Sequence, residues 1–245
     1  MRDGSDAAAP LAGSAVQRVS GAPNLDDPVE LVVLSETAIP LQVGAVTPSQ
    51  LAACASRVNH ALHETRDEHL GELDVFDIID LRMLSGLVGE MFTAAFADSD
   101  GRFIKNPNLD GYPDLCDISS CGSEISPMDF LSFPDGGIEV KNTFGVKRAR
   151  AVLRPRSTRR GQIQSRLVWK AHHQTTNNLL ALQSDYINEV PQIVAGYFCG
   201  TLTPADWTVR SEPKEGSTMT SFCQTTPAGW AKLAAGVVFA DERYW

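Results

Sequence analysis

FPDGGIEVKN, residues 133–142, is the stretch from which the rest of the chain is best read. Pro134-Asp135-Gly136-Gly137 supplies the residue types of a tight turn, proline presetting one dihedral and glycine admitting conformations that other residues avoid. The β-branched Ile138 and Val140 suit a strand that runs from Ile138 to Asn142. Alternate residues of a strand share a face and lie roughly 6–7 Å apart. Glu139 and Lys141 therefore project together, while Ile138 and Val140 face the opposite layer. Such a pair has a chemical use. The carboxylate can hold a hard divalent cation, and the ammonium can steady an attacking water or a developing negative charge. A chain with twelve Glu and six Lys produces this spacing by chance, and Glu212-Pro213-Lys214 repeats it. The central Pro213 removes a ladder donor and fits a loop or an edge strand better, which leaves Glu139 and Lys141 as the stronger pair.

A second carboxylate has to come from another element, because Mg²⁺ takes oxygen ligands. Upstream, NPNLDGYPDLCDIS is punctuated like a loop and becomes strand-like from about Pro113. Asp114 stands at the start of that segment and reaches the pair if the two strands are neighbours. Asp117 is an alternative on the opposite strand face. Asp135 lies in the turn itself, four residues before Glu139, where there is little room for a separate strand.

Two helices are expected before this region. Thr47 is the N-cap of the first, with Pro48 in its opening turn and Leu51, Cys54, Val58 and Leu62 at helical spacing. The second covers Val75 to Ala97, with a buried stripe of Leu84, Leu87, Val88, Met91, Phe92 and Ala95. Gly86 and Gly89 would allow close packing there, and Glu90 lies near the buried edge of the stripe. Residues 1–28, rich in Ala, Gly, Ser, Pro and Asp, read as a flexible tail. A short strand-like LVVL follows within Val29 to Val43. Residues 29–245 then form one domain with its core at about 75–200.

Downstream of Lys141 the charge is lopsided. The chain carries −9 overall, yet Lys141, Lys147, Arg148, Arg150, Arg154, Arg156, Arg159, Arg160, Arg166 and Lys170 fall in one segment without a single acid. Setting those ten aside leaves −19 on the remainder, so an anionic ligand would meet one local basic field rather than the acidic average. The segment through Arg160 reads as a long loop. A helix from about Arg166 to Ile187 is expected next, with Leu167, Ala171, Leu179, Leu182 and Tyr186 among its apolar positions. PQIVAGYFCGTL then forms a buried strand, and Asp206 to Trp245 alternates short strand-like pieces with turns. The fold class is therefore α/β with a central mixed sheet flanked by helices.

No apolar run approaches the ~20 residues of a membrane helix, and the first residues lack the pattern of a secretory signal. The expected setting is the cytoplasm. Cys54, Cys116, Cys121, Cys199 and Cys223 are too scattered for a disulfide framework and read as buried free thiols. His60, His63 and His69 are expected on a solvated face. His172 and His173, adjacent on the expected helix, should point in different directions.

GYPDL (111–115), GGIEVKN (136–142) and the order of elements around them resemble the core of PD-(D/E)xK nucleases, particularly type II restriction endonucleases. The segment WKAHHQTTNNLLALQSDYI followed by PQIVAGYF is similar to the helix and strand after ExK in that family. The resemblance implies a restriction-endonuclease-like core and Mg²⁺-dependent, sequence-specific hydrolysis of double-stranded DNA by a bacterial-type cytoplasmic homodimer without an organic cofactor. It implies Asp114 and Glu139 as metal ligands, Lys141 as the residue assisting the attacking water, and Glu90 as a further acid contributed by the preceding helix. Lys147, Arg148, Arg150, Arg154, Arg156, Arg159, Arg160, Gln162 and Gln164 are the candidates for DNA contact, the cations for phosphates and Arg or Gln for base edges. A repair or recombination nuclease of the same fold, or a DNA-binding protein without catalysis, are the competing expectations.

Overall fold

Thr47 begins the first long helix as the sequence predicts. Its Oγ1 accepts the Gln50 N–H at 3.2 Å while Gln50 Oε1 accepts the Thr47 N–H at 3.2 Å. This reciprocal cap satisfies two of the donors that a helix start leaves unpaired. The computed structural model of the chain describes residues 28–67, 75–108, 111–120, 137–144, 167–212, 215 and 221–244. The expected tail, apart from Pro28, lies outside these residues.

The elements in chain order are β1 (Leu31–Val33), β2 (Ile39–Pro40), β3 (Ala45–Val46), α1 (Pro48–Asp67), α2 (Val75–Ile78), α3 (Leu81–Ser99), β4 (Phe103–Lys105) and β5 (Leu115–Asp117). They continue as β6 (Gly137–Phe144), β7 (Lys170–Ala171), β8 (Leu179–Ile187), β9 (Val190–Cys199), β10 (Cys223–Gln224), α4 (Pro227–Ala235) and β11 (Val237–Asp241). Seven strands form one mixed sheet in the order β1-β11-β9-β8-β6-β5-β4. Its β6–β8 pair is parallel and the others are antiparallel. The protein is thus α/β with a mixed central sheet flanked by helices.

Alternation along β8 shows how the sheet is covered. Leu180 and Leu182 join Val58, Leu62, Leu84, Val88, Phe92 and Phe96 under α1 and α3. Leu179 and Ala181 join Trp169, Trp207, Leu233 and Tyr244 on the other face. Both faces are buried, which explains why the first half of β8, LLAL, and most of β9 are apolar runs rather than alternating ones. All four thiols among the described cysteines (Cys54, Cys116, Cys199 and Cys223) are free and buried, as expected, and Cys121 lies outside the described residues. His60 pairs with Glu64 on the solvated side of α1.

Three expectations are corrected. The segment Arg166–Ile187 is not a helix: from Leu167 onward it is an extended stretch, β7, a turn and β8. Leu167, Trp169 and Ala171 are buried while Val168 and Lys170 are not, the period of a strand. His172 and His173 consequently sit in the β7–β8 turn. Val75–Ala97 is two helices, because Asp80 restarts the chain as N-cap of α3 by accepting the Arg82 N–H at 2.7 Å. Within α3, Leu84, Val88 and Phe92 are buried, but Leu87 is 40% exposed. The C-terminal region contains α4, opened by Thr226 and Pro227 in the same manner as α1.

The register of β8 on β9 shifts between Gln183 and Ser184, whose partners are Ala195 and Ile193, so Val194 stands unopposed as a bulge. Asn59 of α1 compensates. Its buried amide accepts the Ile193 N–H at 2.7 Å and donates to the Ile193 carbonyl at 2.9 Å. Asn59→Ala strips both partners from a buried backbone unit and is expected to destabilise the protein by about 2–3 kcal/mol. A urea midpoint within experimental error of the wild type would contradict this.

Candidate active site

Strand β5 pairs with β6 only through Leu115↔Ile138 and Cys116↔Gly137. From Glu139 onward, the edge of β6 away from β8 has no ladder partner among the described residues. Asp114, the residue just before β5, takes over where the ladder stops. Its Oδ2 accepts the Val140 N–H at 2.8 Å, and its own N–H donates to Glu139 Oε2 at 3.2 Å. The Glu139 carboxylate thereby holds the Asp114 backbone and the Asp114 carboxylate holds that of Val140, a clasp made possible because Pro113-Asp114 lies immediately before the pairing residue Leu115.

Lys141 closes the arrangement. Its Nζ lies 2.9 Å from Asp114 Oδ2 and 2.8 Å from Glu139 Oε1. Glu139 and Lys141 share the strand face predicted for them, and Ile138 and Val140 enter the core beneath α3. The side chain of Glu139 is 3% exposed, whereas those of Lys141 and Asp114 are 23% and 26% exposed. Burial is the main cause that pushes the Glu139 carboxyl up to about 7; Lys141 opposes the shift and Asp114 adds to it. Burial also works against the Lys141 ammonium, but the Glu139 and Asp114 carboxylates outweigh it and hold its pKa above the ordinary value.

Asp114, Lys141 and Glu90 line one cleft of about 510 Å³ between α3 and the free edge of β6. Glu90 stands on the α3 wall with its side chain 58% exposed, ion-paired to Lys105 of β4. Gly86 and Gly89 also line this wall. A Cβ on either would meet nothing within 4 Å, so they widen the cleft instead of admitting the close packing expected of them. Ser85 Oγ donates to the Asn142 carbonyl at 2.7 Å and pins α3 to the open edge of β6. No feature of the sequence singled out Ser85; only the run of small residues Ser85, Gly86, Gly89 and Thr93 at helical spacing marks that wall.

Asp117 belongs elsewhere. Its carboxylate takes the Ser119 N–H at 3.0 Å and lies 3.5 Å from Arg102. Of the two aspartates, Asp114 is the acid brought beside Glu139 and Lys141, because a three-residue step along the chain carries Asp117 away from the open edge. Asp135, Pro213, Lys214 and the nine candidates for DNA contact, Lys147, Arg148, Arg150, Arg154, Arg156, Arg159, Arg160, Gln162 and Gln164, lie outside the described residues.

The donor chemistry fits a magnesium ion. Asp114 and Glu139 bring two oxygen-donor side chains together, both within 2.9 Å of Lys141 Nζ, and the burial that raises the Glu139 pKa is relieved by a neighbouring positive charge. Among the described residues no group of three or more His, Cys, Asp or Glu is placed to hold a metal. Two carboxylates with the remaining positions left to water and substrate oxygens is the usual magnesium pattern.

A pH dependence follows. The folded carboxyl of Glu139 has a pKa near 7 against an ordinary 4.5, so the folded protein gains stability as pH falls from 7 towards 4.5 and loses it again on the way up. A magnesium ion held by these oxygens would compete with protons, so its affinity in the absence of DNA should be about tenfold weaker at about pH 6 than at about pH 8. Calorimetric titration at the two pH values checks this. Equal affinities would mean that Glu139 is not a ligand.

No family model, no curated protein and no solved structure matches the chain. No helix among the described residues is long and apolar enough to cross a membrane.

Proposed function

We propose that the chain is a Mg²⁺-dependent endonuclease that hydrolyses phosphodiester bonds of double-stranded DNA at a defined sequence, on a restriction-endonuclease-like core. The observation that carries this reading is the Lys141 ammonium held between the Asp114 and Glu139 carboxylates, 2.9 and 2.8 Å away, at the open edge of β6. An ammonium beside two acids suits a phosphodiester: it offers a hydrogen bond to the attacking water or to the phosphoryl oxygen on which negative charge grows. Asp114 and Glu139 would hold the magnesium, which supplies Lewis-acid polarisation of the phosphoryl oxygen when bound. Glu90 extends the acidic lining on the α3 wall of the same cleft. The glycines of that wall leave room for a sugar-phosphate strand to approach the helix backbone. Cutting both strands of a symmetric site calls for two centres related by a two-fold axis, so a homodimer belongs to this reading, as does a bacterial-type cytoplasmic setting.

The test is digestion of long linear duplex DNA in the presence of Mg²⁺. Discrete, reproducible fragments are expected. Cleavage restricted to branched or damaged DNA would instead assign the same chemistry to repair or recombination. DNA binding without cleavage of any substrate would sink the enzymatic reading and leave a DNA-binding protein.

A further inference from the structure

We propose that Lys170, His172, His173 and Arg210 form a second phosphate-contacting patch, which guides the DNA strand as it leaves the cleft. The inference rests on the nuclease reading and adds to the cleft a contact surface made of residues other than the nine candidates for DNA contact. Lys170 belongs to both places: it lines the cleft with Lys141, and its Nζ stands 4.2 Å from the centre of the Phe222 ring. The next residues leave β7 and turn outward, exposing His172 and His173. The His173 ring sits edge-on against Tyr112, with centroids 5.6 Å apart, and Tyr112 is two residues before Asp114. The turn is therefore contiguous with the catalytic carboxylates on one side and with the cleft on the other.

Arg210 arrives from a different part of the chain. Gln174 Nε2 donates to the Thr208 carbonyl at 2.9 Å, tying the β7–β8 turn to the segment that carries Arg210. Burial, the His172 ring and the Arg210 charge together hold the His173 pKa below its ordinary value, the last two because positive groups crowd one another here. His173 is therefore held neutral beside Arg210, and an arriving anion would favour its protonated form again. Among the described residues no ion pair joins Arg210, His172 or His173 to a carboxylate, although the exposed Glu212 is two residues from Arg210. Phosphates of a nucleic-acid backbone fit this surface because Lys170 and Arg210 carry fixed positive charge and the exposed imidazoles beside them can donate hydrogen bonds.

The experiment measures binding of a fluorescently labelled linear duplex, without divalent metal, between about 50 and 200 mM salt. The double variant His172→Ala/Arg210→Ala is compared with the wild type and with Arg57→Ala, an exposed arginine on α1. Each lost phosphate contact should flatten the slope of log affinity against log salt by about 0.9, so the double variant should lose roughly one to two units of slope and bind about 5- to 20-fold more weakly at mid-range salt. Arg57→Ala should match the wild type. A double variant with wild-type affinity and slope overturns this inference alone. Failure of the wild type to bind any DNA overturns the nuclease reading and this inference with it.

Discussion

Lys141→Ala is expected to lower the single-turnover rate of DNA cleavage by about a thousandfold while changing DNA affinity by less than about tenfold. The asymmetry between the two effects comes from position. Lys141 sits with its side chain only 23% exposed and is engaged by two carboxylates, so it contributes little to a long phosphate-binding surface. In the proposed reaction it acts instead at one point, where charge develops. Its loss has a second consequence inside the site. Lys141 is the chief group opposing the upward shift of Glu139. Without it the Glu139 carboxyl rises further and is protonated at neutral pH, when it is no longer a good ligand for a cation. Rate should therefore recover in part as pH is raised in the variant, where the wild type is already at its plateau. The lysine's own contribution to stability does not vary over that range. Its folded pKa lies above the ordinary 10.5, so the contribution is fully present below 10.5 and is lost only as pH rises through the folded value. Cleavage by Lys141→Ala within tenfold of the wild type would remove this residue from the chemistry.

Most of that site was visible in the sequence because its geometry is local. Glu139 and Lys141 are two apart on one strand, and period two alone puts them on a common face. The partner from the other strand was harder to find. Asp114 stands just before β5 and Asp117 ends it, on opposite strand faces, and the point at which β5 stops pairing with β6 decides which of them reaches the open edge. A ladder's end is set by where the chain departs, and the sequence carries no sign of that at Gly137 and Ile138. The α3 wall was less visible still. Gly86 and Gly89 are ambiguous in principle, since a missing side chain either lets a neighbour come close or leaves a space, and here it leaves a space.

The fold was legible where a capping signal was heeded. Thr47-Pro48, Thr203-Pro204 and Thr226-Pro227 each begin a helix: α1, the short 3-10 turn at Pro204–Asp206, and α4. Only the first stood before a run long enough to display a helical period. The nine residues of α4 are too few for that, and their start signal was the better guide. The segment 166–187 failed for the opposite reason. Leu167 and Ala171 are four apart, a spacing that fits both a helix face and alternate positions of a strand. The residue that distinguishes the two is Trp169, midway between them. A helix would turn it to the far side; a strand buries it with both.

Trp169→Ala is accordingly expected to destabilise the protein by about 4 kcal/mol, the largest loss from any single side chain outside the site. The indole is 1% exposed, lies nearly parallel to Trp230 with ring centroids 5.4 Å apart, and meets Tyr197 edge-on at 5.7 Å. Its Nε1 donates to the Leu182 carbonyl at 2.9 Å, so truncation empties a large volume and also removes a donor from the buried face of β8. Trp169→Phe, which keeps much of the packing and loses the donor, should cost about 1–2 kcal/mol. Urea unfolding measures both, with the midpoint falling and the slope unchanged if the folded state keeps its compactness. The effect should reach the cleft. Trp169 is bonded through its backbone to Thr225, at 3.1 Å from its carbonyl, and holds in place the strand whose next residue, Lys170, lines the cleft. A Trp169→Ala protein that remained folded but bound DNA with a flatter salt dependence would trace that loss to Lys170 set loose. If stability instead fell by less than about 1 kcal/mol, the indole would not be the anchor of this second core, because a buried side chain of this size cannot be removed without leaving a cavity or forcing a collapse.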